Sequence, residues 1–230
     1  MQGWSWRMEG GHALADVLLG NISPSGKLPF TFPMRLEDSP AIALGLYPQK
    51  DPAEGDLFST QYRRDRKEGN MQRRERPSPD ALYTEGWKVG YRWYDDQDIR
   101  PLYAFGHGLS YVEFAYSDLK TDRKTYQHGD MIKVSLTIAN KGAMTADEVA
   151  QIYVSRPDSP MDRPLKELKG FSRVIVDPES PAHVSILIPV DELRDWDTED
   201  NCWKLEPGKV VLSVGSASDD IRLTTAISLK

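Results

Sequence analysis

Residues 131–139 read MIKVSLTIA, with Ile132, Val134, Leu136 and Ile138 at every second position. Period two marks a half-buried β-strand, because successive side chains point to opposite faces of a sheet. Asn140-Lys141-Gly142 then supplies turn residues. The pattern repeats on both sides. Upstream, Phe114–Leu119 is a short first strand. Downstream, Val149–Val154 carries Val149, Ile152 and Val154, and Leu165–Val176 carries Leu165, Leu168, Phe171, Val174 and Val176. Val184, Ile186 and Ile188 alternate, and Trp203 and Leu205 precede the turn Glu206-Pro207-Gly208. Val210, Leu212 and Val214 form another strand, and Ile221–Leu229 a last one. Short strands separated by turns predict a mainly β fold, an immunoglobulin-like β-sandwich of fibronectin type III-like topology over 113–230.

Upstream the grammar changes. His12–Leu19 places Ala13, Leu14, Val17 and Leu18 at helical spacing, and Gly20-Asn21 suits the helix end. Pro24-Ser25-Gly26 is a turn, and Lys27–Phe32 reads as a short apolar strand bracketed by prolines at a sheet edge. One helix and one strand bury no core alone. Residues 1–35 therefore read as the C-terminal remnant of an α/β sandwich domain.

Residues 36–112 read as a long insertion loop and linker. Within it, Gln61–Arg76 carries six arginines and Lys67 against Asp65, Glu68 and Glu75. A solvated loop explains it. A single-strand nucleic-acid binder needs stacking aromatics, and Tyr62 is alone there. In 83–112, Trp87, Val89, Tyr91 and Trp93 fall at period two and predict a strand, Asp95-Asp96-Gln97-Asp98 a turn, and Pro101–Gly108 an extended segment.

Composition narrows the function classes. The 230 residues are 39% hydrophobic and 28% charged with a net charge of -6, which describes a folded domain and disfavours a broad nucleic-acid surface. Cys202 is the single cysteine, so no intrachain disulfide forms, and no zinc-finger spacing exists. No apolar run approaches the ~20 residues of a membrane span. The start MQGWSWRMEGGH lacks the features of a signal peptide, so the chain as written is not addressed for secretion.

Two stretches carry a resemblance. The first is Glu9-Gly10-Gly11, Ala13-Leu14-Ala15-Asp16-Val17-Leu18, Pro24-Ser25-Gly26-Lys27-Leu28-Pro29 and Thr31-Phe32-Pro33, preceded by Trp6. The second is Tyr83, Glu85-Gly86, Val89-Gly90-Tyr91-Arg92 and Phe105-Gly106-His107-Gly108-Leu109-Ser110-Tyr111. Asn140-Lys141-Gly142, Glu148-Val149, Gln151-Ile152-Tyr153-Val154, Arg163-Pro164, Lys166–Phe171 and Pro207-Gly208 extend it. Together they resemble the C-terminal region of glycoside hydrolase family 3, the β-glucosidases and β-xylosidases. Arg7-Met8 departs from the Gly-Gln pair usual there.

The resemblance implies a parent enzyme with a barrel, an α/β sandwich domain and a fibronectin type III-like domain. It implies a retaining mechanism, which needs two carboxyl groups ~5–5.5 Å apart. The family's aspartate nucleophile and glutamate acid/base both lie before the start of this chain. The partners implied are the missing N-terminal catalytic domains of the same enzyme and a β-linked oligosaccharide as that enzyme's substrate. Neither nucleic acid, a membrane span, a cofactor nor a metal is implied, and the parent is expected to be periplasmic or secreted. The chain alone is expected to be inactive and to act as structural support. The alternatives are a stand-alone carbohydrate-binding or interaction module and a split enzyme.

The candidate sites follow from residue types. Trp87, Tyr91 and Trp93, with Tyr94 and Tyr103, read either as a sugar-stacking platform or as a junction core. His107 reads as a junction histidine satisfied by backbone hydrogen bonds, or as a base, though no serine or cysteine nucleophile motif accompanies it. Asp95, Asp96 and Asp98 read as a solvated turn, with calcium ligation as the alternative. Trp196 is expected to pack a loop onto the sheets, and Cys202 to pack as a small apolar group.

Overall fold

A computed structural model describes residues 9–46 and 83–230. Of the loop expected at 36–82, residues 36–46 instead carry a single 3-10 turn (Leu36–Asp38) and a short helix (Pro40–Ala43), while 47–82, with the basic 61–76 stretch, lies outside the described residues, as do Trp6, Arg7 and Met8. The fold is mainly β. One sheet contains β1 (Phe114–Thr121), β3 (Met131–Asn140) and β6 (Ala182–Pro189), in the order β1-β3-β6. The other contains β2 (Thr125–Tyr126), β10 (Asp220–Leu229), β9 (Gly208–Ala217), β4 (Ala146–Ser155) and β5 (Glu167–Val176), in that spatial order. The short β2 runs parallel to β10, and the other pairings are antiparallel. A separate hairpin joins β7 (Asp195–Asp197) to β8 (Cys202–Lys204).

The alternation read from 131–139 builds the core. Ile132, Val134 and Ile138 are fully buried and Leu136 nearly so, against Ile152, Leu212 and Val214 of the facing sheet. This is the fibronectin type III-like sandwich predicted. Its strands run longer than the apolar runs. β1 continues past a bulge at Ser117/Lys120, where Asp118 takes φ 55°, and β4 begins at Ala146. Leu165 lies before β5 and is exposed, and Phe171 faces outward on it.

Several expectations upstream and on the hairpin are corrected. The 27–32 segment is extended but forms only the isolated bridge Phe32–Tyr103. Leu28 N–H donates to His107 O (2.9 Å) and Gly106 N–H to Leu28 O (2.8 Å). Phe32 N–H donates to Tyr103 O (2.8 Å). Pro29, between the two pairings, has no N–H to donate, so no continuous ladder forms.

The strand predicted through Trp87, Val89, Tyr91 and Trp93 is instead a turn followed by a helix, α3 (Tyr91–Asp96). Gly90 enters it at φ 57°, ψ -141°, a conformation natural to glycine. The predicted acidic turn is correspondingly displaced, since Asp95 and Asp96 end α3 and only Gln97 and Asp98 turn. Cys202 is exposed, and Trp196 stays exposed against Trp203 across the hairpin. A two-stranded hairpin has no second layer under which to bury either residue.

The first helix, α1 (Gly10–Leu18), falls where the periodicity placed it, and none of its residues is buried. A shorter helix, α2 (Pro40–Ala43), follows. Among the described residues no helix is long and apolar enough to cross a membrane.

Candidate functional site

Tyr91 and Phe105 meet on the outer face of the five-stranded sheet. Gln151 and Tyr153 of β4 point outward there, and both are buried, because the upstream segment covers them. Gln151 Nε2 donates to Ser216 O (2.5 Å) and lies 3.4 Å from Gly106 O. Tyr153 Oη donates to Gln151 Oε1 (2.6 Å). A Cβ at Gly106 would run into the Gln151 amide, and Gly106 takes φ 81°. The glycine is thus required twice, by conformation and by close approach. Ser218 N–H donates to Phe105 O (2.9 Å), so backbone bonds flank this amide.

Each candidate residue has a definite place. Tyr91 packs against Phe105 (5.1 Å) and edge-on against Tyr153 (5.9 Å), and its hydroxyl accepts the Leu168 N–H (2.9 Å). Trp93 is buried, and its indole N–H donates to Asp38 O (3.0 Å). Trp87 is half-buried beneath the Lys88 ammonium and donates to Asp162 Oδ2 (3.3 Å). The His107 ring lies against Tyr103 (5.1 Å), while its backbone N–H donates to Ala104 O (3.1 Å). Tyr91, Phe105 and Tyr153 thus form one packed cluster. Trp87 and His107 lie at contacts of their own.

The carboxylates nearby are held by cations. Asp95 accepts from Lys166 (2.6 Å) and Asp96 pairs with Lys88 (2.8 Å). Burial raises the Asp95 carboxyl above the ordinary carboxylate value, against the opposing pull of Lys166. Its Oδ2 is buried without a hydrogen-bond partner. Burial, followed by the charges of Tyr91, Asp95 and Asp219, raises the Tyr153 phenol. Among the described residues no group of three or more histidine, cysteine, aspartate or glutamate side chains is placed to hold a metal ion.

A second link was not legible in the sequence. Lys27 reaches Glu148 (2.9 Å), tying the 24–33 segment to β4. Nearby, the Arg222 guanidinium lies over the Tyr116 ring (4.7 Å) and binds Asp220 (2.8 Å), which accepts from Ser216. Burial, then Glu148, pushes the Tyr116 phenol up. The hydrogen bond from Arg222 is the leading reason that the Asp220 carboxyl sits below its usual value. The one available signal was a polar residue, Gln151, inside the apolar run Val149–Val154. The arrangement can hold two segments in register, because donors, acceptors and charges across it meet one another.

Two family models match this chain. Residues 1–111 match the glycosyl hydrolase family 3 C-terminal domain, and residues 148–218 match the fibronectin type III-like domain. Beta-glucosidase BoGH3A of Bacteroides ovatus is 35% identical over 226 residues, 97% of this chain and 27% of its own length. Thermostable beta-glucosidase B of Acetivibrio thermocellus is 36% identical over 217 residues, 94% of this chain and 25% of its own length. Beta-glucosidase 3B of Thermotoga neapolitana, solved with alpha-D-glucose, superposes with a TM-score of 0.79 at 33% identity, over 98% of this chain and 27% of that one. The chain spans about a quarter of the length of these relatives.

Proposed function

Because the chain belongs to glycoside hydrolase family 3, as the C-terminal region of that family's enzymes, we propose that it is the supporting portion of a retaining β-glucosidase-like hydrolase. In this reading residues 1–35 are the end of an α/β sandwich domain, 36–112 an insertion and linker, and 113–230 the fibronectin type III-like domain. The catalytic carboxylates belong to the preceding domains, which also bind the β-linked sugar. Tyr91, Trp93, Trp87 and His107 serve the junction.

One observation carries this. The 97% of the chain that aligns does so with 27% of the length of an enzyme, through the family's C-terminal domain, and its first helix buries no residue against the rest of the chain. A helix stripe of this kind is stable when something else covers it. The test is an aryl β-glucoside assay on the purified 230-residue chain. No turnover is expected; activity that persists through further purification, and is absent from a mock preparation, would overturn the reading.

A stand-alone carbohydrate module is the competing reading, and one feature favours it. Trp196 and Trp203 meet edge-to-face at 5.4 Å on the hairpin and remain exposed. Affinity electrophoresis on soluble β-glucans separates the two: retardation abolished by Trp203→Ala supports the module, and unretarded migration supports the junction role.

A further inference from the structure

On β5 the side chains alternate inward and outward from Phe171 to Val176. Val174 and Val176 face the core, while Phe171, Arg173 and Ile175 face out. Phe171 is 69% exposed and Ile175 67% exposed. A strand that presents phenylalanine and isoleucine to water on its outer face departs from the polar-out rule of a half-solvated sheet. Neighbouring β4 shows why. The residue opposite Phe171 is Gln151, which the 105–107 segment has already buried. The upstream segment therefore covers the β4 side of this face and the start of β5, where Tyr91 Oη accepts the Leu168 N–H and Arg92 pairs with Glu167, and leaves Phe171 and Ile175 open.

Arg173, between the two apolar side chains, marks the border. Its guanidinium binds Asp147 and donates to Ser25 Oγ (3.1 Å) in the Pro24–Gly26 segment, which is extended rather than the turn expected there. The uncovered face of β5 is thus continuous with the segment that leads from α1 into the sandwich. On that segment Leu18, Leu19 and Ile22 are also exposed. Three quarters of the relatives' length lies outside this chain, and the match to the family 3 C-terminal domain begins at residue 1.

We infer that the outer face of β5, centred on Phe171 and Ile175, is a docking surface for the preceding part of the same polypeptide, a second contact distinct from that made by α1. It rests on the proposed function, since it needs a preceding domain to exist. The partner surface is apolar, with an acceptor near Arg173. The occupant is the same polypeptide because this face adjoins, through Arg173 and Ser25, the segment by which the chain arrives.

Hydroxyl-radical footprinting tests this by reading side-chain accessibility. The full 230-residue chain is fused behind the part of the Acetivibrio thermocellus enzyme that precedes its matched quarter, and compared with the 230-residue chain alone. Labelling of Phe171 and Ile175 is expected to fall about fivefold in the fusion, as burial in an interface core requires. Leu187, 57% exposed on the other sheet, serves as the control and keeps its rate. If Leu18 and Leu19 become protected while Phe171 and Ile175 do not, this inference fails and the proposed function stands. If neither set is protected, both fail. Protection that appears in the isolated chain and grows with concentration assigns the face to a second copy and overturns the inference. As an independent measurement, Phe171→Ser and Phe171→Glu/Ile175→Glu should lower the thermal midpoint of the fusion, and Leu187→Glu should not. Equal midpoints would overturn it.

Discussion

Lys27 Nζ lies 2.9 Å from Glu148 Oε1, and the two side chains are only 15% and 6% exposed. An ion pair this far from water costs desolvation on both sides, and removing one partner strands the other charge. Lys27→Met is expected to destabilise the chain by about 3 kcal/mol, near the lower end for buried pairs because Lys27 keeps some solvent. The double variant Lys27→Met/Glu148→Leu should recover much of that loss. Urea denaturation of the four members of this cycle measures the coupling, and additivity would show that the pair does not join the segments.

Gly106 and Gly129 have the same φ of 81°, in different surroundings. A Cβ at Gly129 meets open space, whereas one at Gly106 meets the Gln151 amide. Gly129→Ala should cost about 1–2 kcal/mol, the conformational penalty of a left-handed residue. Gly106→Ala should cost clearly more, because it also displaces a buried amide bonded to Ser216 and Tyr153. Equal denaturation midpoints for the two variants would remove the close-approach argument.

Trp93 is a second discriminating position. Trp93→Phe keeps a ring but leaves Asp38 O without the indole donor, which should cost about 1–3 kcal/mol. Trp203→Ala should cost less, about 0.2–1 kcal/mol, the scale of a cross-strand pair. Guanidinium titrations followed by far-ultraviolet circular dichroism compare them. A larger loss at Trp203 would mean that the hairpin, rather than the seam, organises the fold.

Asp220 supplies a pH dependence with a definite sign. Its folded pKa lies below that of an ordinary aspartate, chiefly through the hydrogen bond from Arg222. A carboxyl depressed on folding contributes stability that is present above the unfolded pKa and is lost as pH falls through the folded one. Asp220→Asn should therefore be less stable than wild type at neutral pH. The gap should narrow progressively below about pH 4, as the wild-type carboxyl protonates. Thermal midpoints across that range are the measurement, and a gap that stays constant into acid would rule the linkage out.

β3 and α3 show what a chain discloses about itself. Ile132, Val134, Leu136 and Ile138 alternate over a run bounded by turns, and they became a buried strand. Trp87, Val89, Tyr91 and Trp93 alternate as well, yet Tyr91–Asp96 is helical. Four positions cannot separate the two periods, and Gly90 at positive φ breaks the run in the middle. The seam was legible as an aromatic, glycine-rich stretch. Its partners Gln151, Tyr153 and Glu148 were not, because they lie on a strand whose outer face looks like a solvent face until another segment covers it.

The sequence by itself determined the sandwich, its strand order along the chain and the family resemblance, since these rest on local alternation, turn residues and short motifs. Only the tertiary structure decided which residues meet, Lys27 with Glu148, Gly106 with Gln151 and Trp93 with Asp38, and that Phe171 stays largely exposed among the described residues. The physical reason is separation along the chain. Side-chain period reports which face a residue takes, while its contacts depend on how distant segments cross that face.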